Sequence, residues 1–81
     1  MDDLIENLLK VIVCRLVRNP QAVRIEKDDS ARDGLVVYRV IVTDEDMGRV
    51  IGKRGRIAKS IRSIVRAAAI KNDLRAAVEI G

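Results

Sequence analysis

Apolar residues recur along the start of the chain at three- to four-residue spacing, at Leu4, Ile5, Leu8, Leu9, Ile12 and Leu16, the period of a helix with one buried face. Asp2 and Asp3 precede the run, where a helix N-terminus favours negative charge. Asn19 and Pro20 end it, because proline restricts the residue before it and has no N–H to continue the ladder. The pattern predicts a helix from about Asp3 to Val17. From Val23 the period changes to two: Val23, Ile25 and Lys27 alternate with Arg24, Glu26 and Asp28, as in a half-buried or edge strand. The polar run from Asp29 to Gly34 reads as a connection. A second strand, Leu35 to Thr43, places Val36, Tyr38, Val40 and Val42 on one face and Leu35, Val37, Arg39 and Ile41 on the other. Apolar on nearly both sides, it is the expected central strand.

Thr43, followed three residues later by Asp46, resembles a capping box with a shortened acid. A helix is therefore expected just after Thr43, carrying Met47, Val50 and Ile51 inward until Gly52 stops it. Gly48, inside that short helix, costs roughly 1 kcal/mol against alanine, which suggests a close approach to a neighbouring element or to a ligand. A longer helix from Arg56 to about Lys71 has Ile57, Ile61, Ile64, Val65 and Ala68 on one side, with Lys59, Arg62 and Arg66 opposite. Asn72 is placed to end it in a left-handed conformation, and Arg75 to Ile80 alternates as a last strand with Val78 and Ile80 inward. The order is αββααβ. Two helices join the strand from Leu35 to the strand from Arg75, so these two are expected to run parallel, while the earlier hairpin is antiparallel. The expected class is α+β, a three-stranded mixed sheet with helices packed on one face.

Composition narrows the function. With 81 residues there is room for one core, and residues 1–81 read as a single domain without repeat or linker. Apolar residues at 48% and charged ones at 35% give a globular balance and exclude a disordered tail. Tyr38 is the only aromatic, so the core is aliphatic and base stacking on aromatic platforms is not the expected mode of binding; the alternation places Tyr38 itself in the core. No histidine and a single cysteine, Cys14, leave no zinc site, no Ser-His-Asp triad and no disulfide framework. No cofactor or metal is expected, and Cys14 reads as a packing thiol in a reducing compartment. The acidic start does not suit a secretory signal, and no apolar run approaches the roughly 20 residues that cross a bilayer. A soluble cytoplasmic protein is the default expectation.

The formal charge of +4 is unevenly distributed. From Met47 to Asn72 there is no Asp or Glu, but there are eight cations: Arg49, Lys53, Arg54, Arg56, Lys59, Arg62, Arg66 and Lys71. Of the 16 basic residues this leaves eight to face all 12 acidic ones, so the rest of the chain is mildly negative. A positive field focused on one segment suits a polyanion, although a solvated helix face looks the same by charge alone. Within it, Gly52-Lys53-Arg54-Gly55 joins the two helices. Gly52 can take the positive φ that ends a helix abruptly, and Gly55 has no side chain to hold a backbone away. The helix that begins there directs its positive dipole end and first N–H groups toward an anion, and Lys53 and Arg54 add full charges. The spacing does not satisfy a Walker loop or the dinucleotide fingerprint.

The segment Val50-Ile51-Gly52-Lys53-Arg54-Gly55-Arg56-Ile57-Ala58-Lys59-Ser60-Ile61 resembles the signature of the KH domain, in which an Ile-Gly-x-x-Gly loop joins two helices. The resemblance covers the whole chain. Element order matches the type II KH fold, and Asp46-Met47-Gly48-Arg49 ahead of the loop is similar to small bacterial single-KH proteins of the KhpA type. Ala58 departs from the pattern, since the signature usually carries a large aliphatic residue there, and Ile57 is the neighbour able to fill that space. The resemblance implies that Gly52 to Gly55 clamps the backbone of about four unpaired RNA nucleotides while bases turn to an aliphatic groove. The expected walls are Val50, Ile51, Ile57 and the strand from Leu35, with Arg49, Arg56 and Lys59 widening the phosphate path and Arg62 and Arg66 supplying general attraction or plain solubility. It also implies an RNA chaperone or post-transcriptional regulator connected with cell envelope growth and cell shape, which pairs with itself or with a larger KH-containing protein of the KhpB/Jag type.

A second surface emerges on the long helix, where Ser60, Ser63, Ala67 and Ile70 form a stripe apart from the core face and the most charged edge. Small residues allow close helix approach, so the stripe is a candidate dimer interface; a scattered apolar surface residue is the alternative. Three classes of function compete. The first is a single-stranded RNA binder, with ribosome assembly as a variant. The second is a protein adaptor that uses the fold only for assembly. An enzyme is the weakest, since Asp44, Glu45 and Asp46 read as first-turn capping residues rather than a paired acid and base.

Overall fold

The computed structural model describes residues 3–80. Asp2, expected to support the first helix, lies outside them. Helix α1 spans Leu4–Leu16 and begins at Asp3, whose carboxylate accepts from the amides of Ile5 (2.9 Å) and Glu6 (3.1 Å). Ile5, Leu9 and Val13 fall on its inner face and are fully buried; Leu4, counted inward by its spacing, is exposed. After a short 3-10 turn at Pro20–Ala22, strand β1 (Arg24–Asp28) pairs antiparallel with β2 (Val36–Ile41). Helix α2 (Asp44–Ile51) leads through the Gly52–Gly55 turn into α3 (Arg56–Lys71), and β3 (Ala76–Ile80) returns parallel to β2. Strand order is β1-β2-β3. The αββααβ order, the mixed sheet and the central place of β2 are as its two-faced apolar pattern implies.

The sheet separates two surfaces. Tyr38, Val40 and Val78 point to the helical side and close a core with Ile5, Leu9, Val13, Val50, Ile61 and Val65. Burying each large aliphatic side chain contributes about 1.5–3 kcal/mol. On the outer side Arg39 reaches Glu79 (3.1 Å) and Glu26 (3.7 Å), the residues opposite it in both neighbouring strands. These exposed pairs keep the face polar and contribute little to stability.

Tyr38 is held in the core by more than packing. Its hydroxyl donates to Asp3 Oδ2 at 2.8 Å, and Lys27 Nζ meets the same oxygen at 2.9 Å. Burial, then the bond to the Asp3 carboxylate, pushes the Tyr38 pKa up. Burial pulls Asp3 upward as well, but the Glu6 amide, Lys27 and Tyr38 together hold it below the ordinary carboxylate range. Helix cap, sheet and core are thus tied at one carboxylate.

Three local expectations change. On α3, Ile64 is 46% exposed while Ala58 and Ala69 are buried with Ile61 and Val65, so the inner face is turned away from Ile64. Asn72 is not left-handed (φ −103°); Asp73 takes that conformation (φ 56°), while the Asn72 side-chain amide donates to the Ala68 carbonyl at 2.7 Å. Gly48 has no close neighbour among the described residues: a Cβ there would meet nothing within 4 Å.

Candidate nucleic-acid interface

The turn between α2 and α3 is built by its glycines. Gly52 closes α2 with its amide on the Gly48 carbonyl (2.9 Å) at φ 76° and ψ 172°, backbone that essentially only glycine adopts. The space beside its Cα is already occupied, since an added Cβ would lie 2.6–2.9 Å from three side-chain atoms of Ile57. Ile57 therefore seals the turn from beneath. Arg54 (φ 57°) and Gly55 (φ 73°) are both left-handed, and together they reverse the chain so that α3 starts at once. The Gly55 amide donates to the Gly52 carbonyl at 3.1 Å and the Arg56 amide to the Lys53 carbonyl. Those two N–H groups serve the turn itself and are not offered outward, contrary to the simplest reading of the helix start. No side chain caps α3, and nothing lies within 4 Å of a Cβ added at Gly55.

Four cations surround this bare turn. Lys53, Arg54, Arg56 and Lys59 are exposed and form no ion pair among the described residues. Arg49 differs, because its guanidinium turns back along α2 to Asp46 (3.6 Å) and the Glu45 carbonyl (3.5 Å). Val50 is fully buried, so it supports the turn from within the core and walls no groove. Ile51 and Ile57 are half-buried and keep some surface toward solvent. Ala58 is buried, and the Ile57 side chain lies over Gly52.

The strand beside α3 is not the one the pattern suggested. β2 is flanked by strands on both sides, whereas β3 is an edge strand, and one of several shallow clefts runs between α3 and β3. Arg62, Val65 and Arg66 face Ala76, Ala77 and Val78 across it, and Arg62 Nε donates to the Val78 carbonyl at 3.4 Å. Arg62 and Arg66, read as general attraction, therefore line a cleft on the helix that begins at the glycine turn. The alternating spacing of β3 could not show this, because which edge stays free is a property of the whole sheet.

Asp46 does more than cap a first turn. It is a completely buried carboxylate to which the Arg18 amide (3.0 Å), the Asn19 amide (3.0 Å), Asn19 Nδ2 (3.0 Å) and Thr43 Oγ1 (3.2 Å) donate. The Arg18 amide foremost holds its carboxyl below the ordinary range; burial opposes, and Asn19 and Thr43 reinforce the lowering. Thr43 Oγ1 does accept from the Asp46 amide at 3.2 Å, so the cap forms, but the acid takes the Thr43 hydroxyl and the amides after α1 rather than the Thr43 backbone amide of a capping box. The stripe Ser60, Ser63, Ala67 and Ile70 is exposed along α3, Ile70 by 69%.

The αββααβ fold with a Gly-x-x-Gly turn between its consecutive helices defines a KH domain of type II. The family described as "KhpA/KhpB, KH domain" matches residues 4–80, and the chain belongs to it. Similar curated proteins are each named RNA-binding protein KhpA. One from Listeria monocytogenes is 47% identical over 75 residues, covering 93% of this chain and 96% of its own. One from Caldanaerobacter subterraneus is 45% identical over 73 residues, covering 90% and 95%. One from Treponema pallidum is 40% identical over 75 residues, covering 93% and 91%. Those names describe a binding protein and no catalytic activity. Among the described residues no helix is long and apolar enough to cross a membrane.

Proposed function

We propose that this chain binds single-stranded RNA without catalysis, laying the sugar-phosphate backbone over Gly52, Lys53, Arg54 and Gly55 with Arg56 and Lys59 alongside. The supporting observation is the exposed turn bearing cations that carry no internal counter-charge: a polyanion gains their full attraction without breaking a native pair. Bases would turn past Ile51 and Ile57 into the cleft beside β3, and Arg49 would contribute only after leaving Asp46. Relatives named as RNA-binding proteins support the same reading. One such domain grips few nucleotides, so affinity is weak and sequence preference slight unless domains act together. A role as RNA chaperone or post-transcriptional regulator, with consequences for cell envelope and shape, belongs to this reading.

The test replaces Lys53 and Arg54 with Asp and measures binding to short single-stranded RNA and a matched duplex at two salt concentrations. The substituted protein is expected to keep its fold, lose most affinity for the single strand, and show a shallower salt slope because fewer counterions are released. Unchanged affinity would sink the reading.

A pairing function is favoured by one further observation, the exposure of Ile70 beside the small residues of α3. Ser60, Ser63, Ala67 and Ile70 would then meet a second copy, or the KH domain of a larger KhpB/Jag-type protein. Sedimentation at rising concentration checks the homodimer: association abolished by Ile70→Glu supports it, and a monomer at every concentration removes it.

A further inference from the structure

Helix α2 has eight residues, so it offers few side chains with which to hold the turn at its end. Val50 anchors its last turn in the core and Met47 packs partly against it. At its first turn the anchor is polar. Asp46 lies fully buried between α2 and the end of α1, accepting from Arg18 on Oδ1 and from Asn19 and Thr43 on Oδ2. Arg18 and Asn19 have just left α1 (Leu4–Leu16), and their amides lack helical partners. One carboxylate thus holds the two amides that follow the C-terminus of one helix while fixing the start of another. Loss of an acceptor inside this partly buried contact leaves donors unsatisfied and is costly.

We infer that Asp46 is a positioning residue for RNA binding: by clamping α2 to the end of α1, it fixes where the Gly52–Gly55 turn stands. This rests on the reading of that turn as the RNA contact. Asp46 itself touches no RNA. Its side chain is sealed from solvent, and the one loop-side cation it meets, Arg49, is held away from the turn. Loosening the clamp leaves Val50 as the main pivot, and the turn then samples positions that do not match a phosphate chain. The apparent dissociation constant rises as the binding-competent fraction falls.

Asp46→Asn tests this with little change in volume. Whichever way the amide turns, its NH2 faces at least one donor that the carboxylate accepted. The expected result, compared in an Arg49→Gln background so that no guanidinium freed from Asp46 reaches a phosphate, is roughly tenfold weaker binding to a short single-stranded RNA, as for a competent fraction near one tenth, with an unchanged salt slope because no phosphate contact is lost or gained. Amide exchange is expected to accelerate in residues 44–57 while the amides of β2 and β3 stay protected. Exchange faster throughout the chain would mean a general stability role and overturn the inference. So would accelerated exchange in α2 with unchanged affinity. Asn19→Ala, which removes only the Nδ2 donor, keeps the test open if the first variant does not fold; it is expected to weaken binding about twofold, and no weakening overturns the inference. Wild-type protein and the Lys53/Arg54 charge reversal run alongside: if wild type binds no RNA, the reading of the turn fails, and if wild type binds while Asp46→Asn binds equally well, only the clamp fails.

Discussion

At Gly52 two independent constraints coincide: a backbone conformation closed to side chains, and Ile57 packed into the space a Cβ would need. Gly52→Ala is therefore expected to lower stability by about 2 kcal/mol, a fall in melting temperature of about 10 °C, measured by thermal denaturation. Arg54 meets neither: its left-handed conformation (φ 57°, ψ 26°) admits a side chain at a modest cost. Tyr38 permits a second residue-level measurement, because as the sole aromatic it reports its own ionisation. Its pKa is raised in the folded state, so the folded protein keeps its proton where the unfolded chain would release it. The stability this contributes is full below the ordinary tyrosine pKa of about 10 and declines as pH rises toward the folded value. The tyrosinate absorbance is expected to appear only well above pH 10 and together with loss of helical circular dichroism. A free titration near pH 10 in the folded protein would contradict the buried bond to Asp3.

Among the elements, α2 carries the clearest internal tension. Gly48 weakens a helix of two turns, and no neighbouring element explains it. Gly48→Ala is expected to raise the melting temperature by about 5 °C through helix propensity alone; a decrease would reveal a packing requirement the fold does not display. Strands and helices were legible in the pattern because their periods are local: the alternation through Tyr38 and Val40, the Thr43 cap and the Gly52 stop all stand where they were read. What was not legible depends on elements distant in sequence. Asp46 looks like any first-turn acid until Arg18 and Asn19 arrive beside it, and Arg62 becomes a cleft residue only when β3 takes the edge. Ile64 shows the same limit, since a helix face several residues wide does not say where its neighbours stop.

For the molecule as a whole, α3 carries cations along its length and, interleaved with them, the exposed stripe Ser60, Ser63, Ala67 and Ile70. Its first turns carry Arg56 and Lys59 beside the glycine turn, and its last carry Ile70 toward the far end of a helix about 24 Å long. RNA and a protein partner could then be held at once, which would compensate for the weak grip of one domain. The outer face of the sheet, closed by Arg39 with Glu26 and Glu79, stands apart from both. Residue-resolved amide shifts during titration with a short single-stranded RNA test the central claim most directly. The account predicts that the largest changes fall in residues 51–59 and along the edge of β3, with the amides of Glu26 and the rest of β1 unmoved. Changes centred on that outer face, or none with RNA in large excess, would contradict it.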